Sequence, residues 1–110
     1  MKTSIIIKLR FSALHNWPGC NIPEVDYLKY PHRHEFHITC KQVVEHDDRD
    51  VEIIMLKNSV ADFLYKTYRK GFGSMSCEQI AKMLLLKFEL TYCKVLEDGE
   101  NGAEVIKTQL

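Results

Sequence analysis

The chain has 110 residues, 45% hydrophobic and 27% charged, enough apolar material for one compact domain and the wrong composition for disorder. Fifteen basic and fifteen acidic residues cancel, leaving no basic field for a nucleic-acid backbone and no polyacidic tail. The longest apolar runs, such as Met83 to Leu86, are far short of the roughly 20 residues that cross a bilayer, so no membrane partner is expected.

Residues 4–15 alternate, with Ile5, Ile7, Leu9, Phe11 and Ala13 on one face and Lys8, Arg10 and Ser12 on the other. This pattern predicts a half-buried strand that carries His15 on its apolar face. Residues 16–31 contain all three prolines and Gly19 with no sustained period, which predicts a long loop. Alternation resumes from His32 to about Val44, followed by the polar turn EHDDRD.

Residues 55–69 switch to helical spacing through Met55, Leu56, Val60, Phe63, Leu64 and Tyr68, with Ser59 as the expected N-cap. KGFGS breaks that helix, and Ser76-Cys77-Glu78-Gln79 offers a capping box before IAKMLLLKFEL, a second helix. Residues 91–97 and 103–109 read as short strands around DGENG, whose Asp-Gly and Asn-Gly pairs favour a hairpin. The order strand, strand, helix, helix, strand, strand predicts an α+β fold with a four-stranded antiparallel sheet, one domain over residues 1–110 and the helices on one face. Cys20, Cys40, Cys77 and Cys93 form no C-x-x-C pair, and MKTSIIIKLR lacks the apolar stretch of a signal peptide. Reduced thiols in a cytoplasmic protein are expected.

The stretch PHRHEFHITC places three histidines within six positions. Alternate residues of a strand share a face about 6.5–7 Å apart. His32 and His34 can therefore converge on one ion, while Arg33 points away and His37, of opposite parity, faces solvent. If the first two strands pair as an antiparallel hairpin, His15 arrives beside them as a third ligand. Three neutral histidines with an open fourth position describe a catalytic type of zinc site. A histidine taken singly is more often a surface or satisfied core residue than a ligand.

Taken in order, FSALH, PHRHEFHITC, SCEQIA and YCKVLEDGENGAEV resemble the 6-pyruvoyltetrahydropterin and 6-carboxytetrahydropterin synthases over nearly the whole chain. The resemblance implies the tunnelling fold, with two helices between strands 2 and 3. It implies zinc held by His15, His32 and His34, and subunits joined as a trimer or hexamer with sites at their interfaces. It further implies a pterin or purine-like ligand held near Ser76, Cys77 and Glu78 and anchored by Glu97. A carboxylate can accept two parallel N–H bonds from the pterin's 2-amino and ring N–H groups.

The chain departs from that family where protons are moved. Asp26 and Tyr27 stand where the family has its cysteine, Cys20 lies twelve residues before His32, and the connection between the helices has neither the Asp nor the His of the usual dyad. Cys20, Glu24 or Asp26, all in the 16–31 loop, are the candidate proton-transfer groups. His46 and Asp47 are separated from the triad by strand of roughly 40 Å and read as part of a solvated turn. Two expectations follow: a zinc-dependent lyase acting on the side chain of a reduced pterin such as dihydroneopterin triphosphate, or a metal-containing pterin or purine binder of the same fold without turnover.

Overall fold

Alternation along the first two strands decides how the rest of the chain is placed. In the computed structural model, which describes residues 1–108, β1 (Thr3–His15) pairs antiparallel with β2 (His32–Val44). The register sets Thr3 opposite Val44 and His15 opposite His32. Ile7 and Ala13 of β1 and Phe36, Ile38 and Cys40 of β2 are buried on the inward face, with Leu9 and Phe11 partly so. Lys8, Arg10 and Ser12 face outward, and Arg33 on the same outer face donates to Ser12 Oγ at 3.1 Å.

β3 (Tyr92–Glu97) pairs antiparallel with β2, setting Phe36 opposite Glu97 and Cys40 opposite Cys93. β4 (Asn101–Ile106) completes a four-stranded antiparallel sheet in the order β1-β2-β3-β4. The β3–β4 turn is made by Asp98 and Gly99 at φ 56° and 74°, the left-handed pair that Asp-Gly accommodates. The fourth strand begins at Asn101, two residues earlier than the turn signals suggest. Gln109, the last residue of that expected strand, and Leu110 lie outside the described residues.

The 16–31 segment is more regular than its sequence suggests. Pro23–Lys29 forms two short 3₁₀ turns that meet at Val25 (φ −128°), started by a proline whose fixed φ suits a first helical position. The Trp17 amide donates to Leu28 O at 2.6 Å and Asn16 Nδ2 to Lys29 O at 3.0 Å, tying both ends of the loop together.

α1 spans Ile53–Tyr68 and α2 spans Cys77–Lys87. The N-cap of α1 is Glu52, not Ser59: its carboxylate accepts from the amides of Ile54 (3.2 Å) and Met55 (2.7 Å). Glutamate is outside the short polar set that usually caps helices, so the apolar spacing beginning at Met55 hid the start. α2 begins as its sequence predicts, with Ser76 and Gln79 in a reciprocal capping box. It ends before the expected FEL because Glu89 turns left-handed at φ 53°, letting the Leu90 amide reach Leu85 O at 2.9 Å.

Both helices lie between β2 and β3 in the chain. α1 packs on β1, and α2 on β3 and β4. Val60, Leu64, Ile80 and Leu84 join the inward strand residues in one apolar cluster, centred on the fully buried Phe36 and Ile38. Among the described residues no helix is long and apolar enough to cross a membrane.

The connector between the helices is tied to the end of β1. The Phe72 amide donates to Leu14 O at 2.8 Å, the Asn16 amide to Gly73 O at 2.9 Å, and Phe72 is itself buried in the core. Gly71 permits this approach: its φ is 125°, and a Cβ there would stand 2.7 Å from Leu14 O.

The cap assignment sets a measurable contrast. Glu52→Ala lowers unfolding free energy by about 0.5–1 kcal/mol in urea titration, whereas Ser59→Ala, away from the helix start, changes it by less than about 0.5 kcal/mol.

Candidate metal centre and adjoining cleft

The inward face of the sheet is apolar along most of its length and changes character at one end. There the alternation that buries Ala13 and Phe36 delivers His15, His32, His34 and Glu97 from β1, β2 and β3 to the same side. One potential ligand atom from each lies within 4.8 Å of the others, a group able to hold a metal ion. The pairing expected from sequence thus does bring His15 to His32 and His34, and Glu97 joins them.

Each imidazole is braced from behind. His15 Nδ1 donates to Met75 O at 3.2 Å, His32 Nδ1 to Tyr30 O at 2.8 Å, and His34 Nδ1 to Asp98 Oδ2 at 2.7 Å. A carbonyl oxygen only accepts, so the proton of His15 and of His32 sits on Nδ1 and, in the neutral ring, Nε2 offers its lone pair. This bracing is the arrangement by which proteins fix the tautomer and orientation of histidine ligands.

His15 Nε2 is the most telling atom. It is buried and has no hydrogen-bond partner among the described residues, although Glu97 Oε2 is only 2.9 Å away. The approach has the distance of an ion pair without the direction of a hydrogen bond. A buried polar atom left this way is costly unless something else engages it, and a metal ion facing both atoms would do so. Burial, set against the Met75 hydrogen bond and the charge of Glu97, pushes the His15 pKa below its ordinary value, favouring the neutral ring that a ligand requires.

Asp98 is the part of the centre that sequence reading missed. Its residue type pointed to a turn, and it makes one. The same left-handed turn lets Oδ2 meet His34 while Oδ1 accepts from the Glu35 amide at 3.0 Å. The hydrogen bond from His34, then that from Glu35, holds the Asp98 carboxyl below the usual range. The Tyr30 and Met75 carbonyls were also invisible, because the backbone direction of a loop does not appear in residue type.

A cleft of about 530 Å³ adjoins the cluster, with His15, His32 and Glu97 at one end and Trp17, Leu28 and the start of α2 among its walls. Ser76, Cys77 and Glu78, the residues expected at a ligand, all line it. Burial, followed by the charges of Glu97 and Glu78, pushes the Cys77 thiol up to about 12, so it remains protonated at neutral pH despite its place at a helix start.

The three loop candidates for proton transfer are elsewhere. Cys20 is buried within its own loop, its thiol directed at Val25 O (3.5 Å) and Ile22 O (3.9 Å). Asp26 pairs with Lys29 at 2.6 Å, and Glu24 is exposed; none of the three lines the cleft. His37 lies on the outer face as its parity predicts, half-buried rather than free in solvent, donating to Glu35 Oε1 at 2.9 Å. His46 stays in the polar turn beside Asp50 at 3.4 Å.

No protein-family model matches the chain, and no curated protein matches it. Fold and site together define an α+β protein with a histidine-rich candidate metal centre at the mouth of a cleft.

Three outcomes test this geometry. Purified protein loaded with zinc and then dialysed holds one ion per chain by atomic absorption, and His15→Ala, His32→Ala or His34→Ala each reduces that content to near zero. Because protons compete with the ion for His15, whose pKa burial holds below its ordinary value, acidification releases the ion from the wild type only at pH below the ordinary histidine range. Gly71→Ala, which forces the connector away from Leu14, lowers metal affinity as well as thermal stability, read by chelator competition and melting.

Proposed function

We propose that the protein is a zinc-dependent lyase of the tunnelling fold, resembling 6-carboxytetrahydropterin synthase and acting on the side chain of a reduced pterin such as dihydroneopterin triphosphate. The observation that carries this reading is the convergence of three braced imidazoles beside a cleft walled by Ser76, Cys77 and Glu78. His15, His32 and His34 would hold the zinc, whose chemistry is to polarise oxygen atoms of a bound substrate. The cleft is within the size range of small-molecule sites and mixes apolar walls with a few polar groups.

Glu97 offers a carboxylate to the 2-amino and ring N–H pair of a pterin. Ser76 uses its oxygen as an acceptor in the helix cap and retains a hydroxyl proton to donate. Apart from the histidines, the acid–base groups that line the cleft are Cys77, Glu78 and Glu97; with the Cys77 thiol held neutral and Glu97 engaged by the pterin, proton transfer within one chain falls to Glu78. In this reading the protein is cytoplasmic and assembles as a trimer or hexamer through β1 and β4, the two edges of the sheet.

A second reading, a pterin or purine binder without turnover, is favoured by one specific finding: Cys20, Glu24 and Asp26 stand away from the cleft and the Cys77 thiol is held neutral. The two separate in one assay. Zinc-loaded protein incubated with dihydroneopterin triphosphate yields a new pterin product by chromatography if the lyase reading holds. Ligand binding by calorimetry, with no product where a standard synthase gives one, establishes the binder instead.

A further inference from the structure

We infer that Glu97 is itself a ligand of the metal in the resting protein, so that the centre is four-coordinate and closed until the carboxylate is drawn away. This rests on the reading that His15, His32 and His34 hold a metal, and it assigns Glu97 a role beyond anchoring a bound pterin.

The distances point to it. Glu97 Oε2 stands 2.9 Å from His15 Nε2 and 3.6 Å from His34 Nε2. Ligands bound at about 2.0–2.1 Å around a tetrahedral ion are separated by about 3.3–3.4 Å, and the two observed separations bracket that value. The direction agrees as well. A histidine donating to Glu97 would show hydrogen-bond geometry at 2.9 Å, and His15 Nε2 does not. With the His15 proton held on Nδ1 by Met75 O, both facing atoms are lone-pair donors. Two such atoms this close repel unless a cation lies between them.

The position of Glu97 on the sheet makes the contact easy and reversible. It is the last residue of β3, opposite Phe36 and next to the Asp98-Gly99 turn, and its side chain is 31% exposed toward the cleft. One carboxylate cannot hold the metal in this geometry and also present both oxygens to an N–H pair in the cleft. A ligand carrying paired N–H donors therefore exchanges with the metal for Glu97, and the vacated position becomes available only when such a ligand is present. The centre thereby stays closed to small anions in the absence of its proper occupant.

Cobalt(II)-substituted protein tests this by optical absorption. The wild type shows the intense visible bands of a four-coordinate ion, and millimolar azide leaves them unchanged. Glu97→Ala and the conservative Glu97→Gln, each with one cobalt per chain, bind azide with a clear spectral shift, at least about tenfold more tightly than the wild type. Millimolar 7,8-dihydroneopterin makes the wild-type centre responsive to azide. Azide binding by the unliganded wild type as tight as by Glu97→Ala overturns the closed centre, whatever the variants' stability. A wild type that remains closed with dihydroneopterin present overturns the exchange. Wild-type protein that takes up no cobalt fails a different statement, the metal reading itself.

Discussion

The register between β1 and β2 is the constraint on which the rest of the molecule depends. Side chains on a strand alternate strictly, so a slip of one residue would turn every inward residue outward. Setting His15 opposite His32 at the loop end of the hairpin simultaneously buries Ala13 and Phe36 and aligns His15, His32 and His34 on one side. Core and candidate metal site are thus fixed by the same pairing. The hydrophobic effect, which drives burial of the apolar row, also holds the polar cluster in place.

Around that pairing, three separate pieces of irregular backbone brace the three rings. The β1–β2 loop supplies the Tyr30 carbonyl, the helix connector supplies the Met75 carbonyl, and the β3–β4 turn supplies Asp98. Each is itself held by backbone hydrogen bonds: Trp17 to Leu28, Phe72 to Leu14, and Asp98's amide to Glu35 O. A ring that can rotate is a poor ligand because ordering it costs entropy on binding. Here the ordering is done by the fold, and His15 Nε2 is left facing Glu97 with no hydrogen bond from the described residues to satisfy it.

How much of this was legible depended on whether residue type alone carries the information. Period-2 alternation located β1 and β2 and the parity of all four histidines between residues 15 and 37, because burial acts on side chains. The Ser76 capping box located the start of α2 because its two hydrogen bonds are also made by side chains. Residue type does not mark Glu52 as the α1 cap, since its longer carboxylate reaches the same amides by a less common route. The Asp-Gly pair signals a turn at Asp98 without signalling where the side chain reaches, and carbonyl directions have no residue signature at all. Cys20, Glu24 and Asp26 have the residue types for proton transfer and lie in the loop that leads to His32, but residue type does not show where a loop points them. The 3₁₀ turns at Pro23–Lys29 fold that loop back on itself and direct the Cys20 thiol inward.

The short connector between the helices matters beyond its contact with β1. Leu14 and Asn16 on either side of His15 are both engaged by it, through Phe72 and Gly73, with Gly71 at the point of closest approach. The connector consequently has no slack. Residues added or removed there must displace either Phe72 from the core or Met75 from His15, whereas the polar turn at 45–50 is tied by side-chain contacts within itself. Length variation in this protein is therefore confined: the turn after β2 can absorb insertions, and the passage from α1 to α2 behaves as a part of the sheet's end, with its length set by the ring it holds.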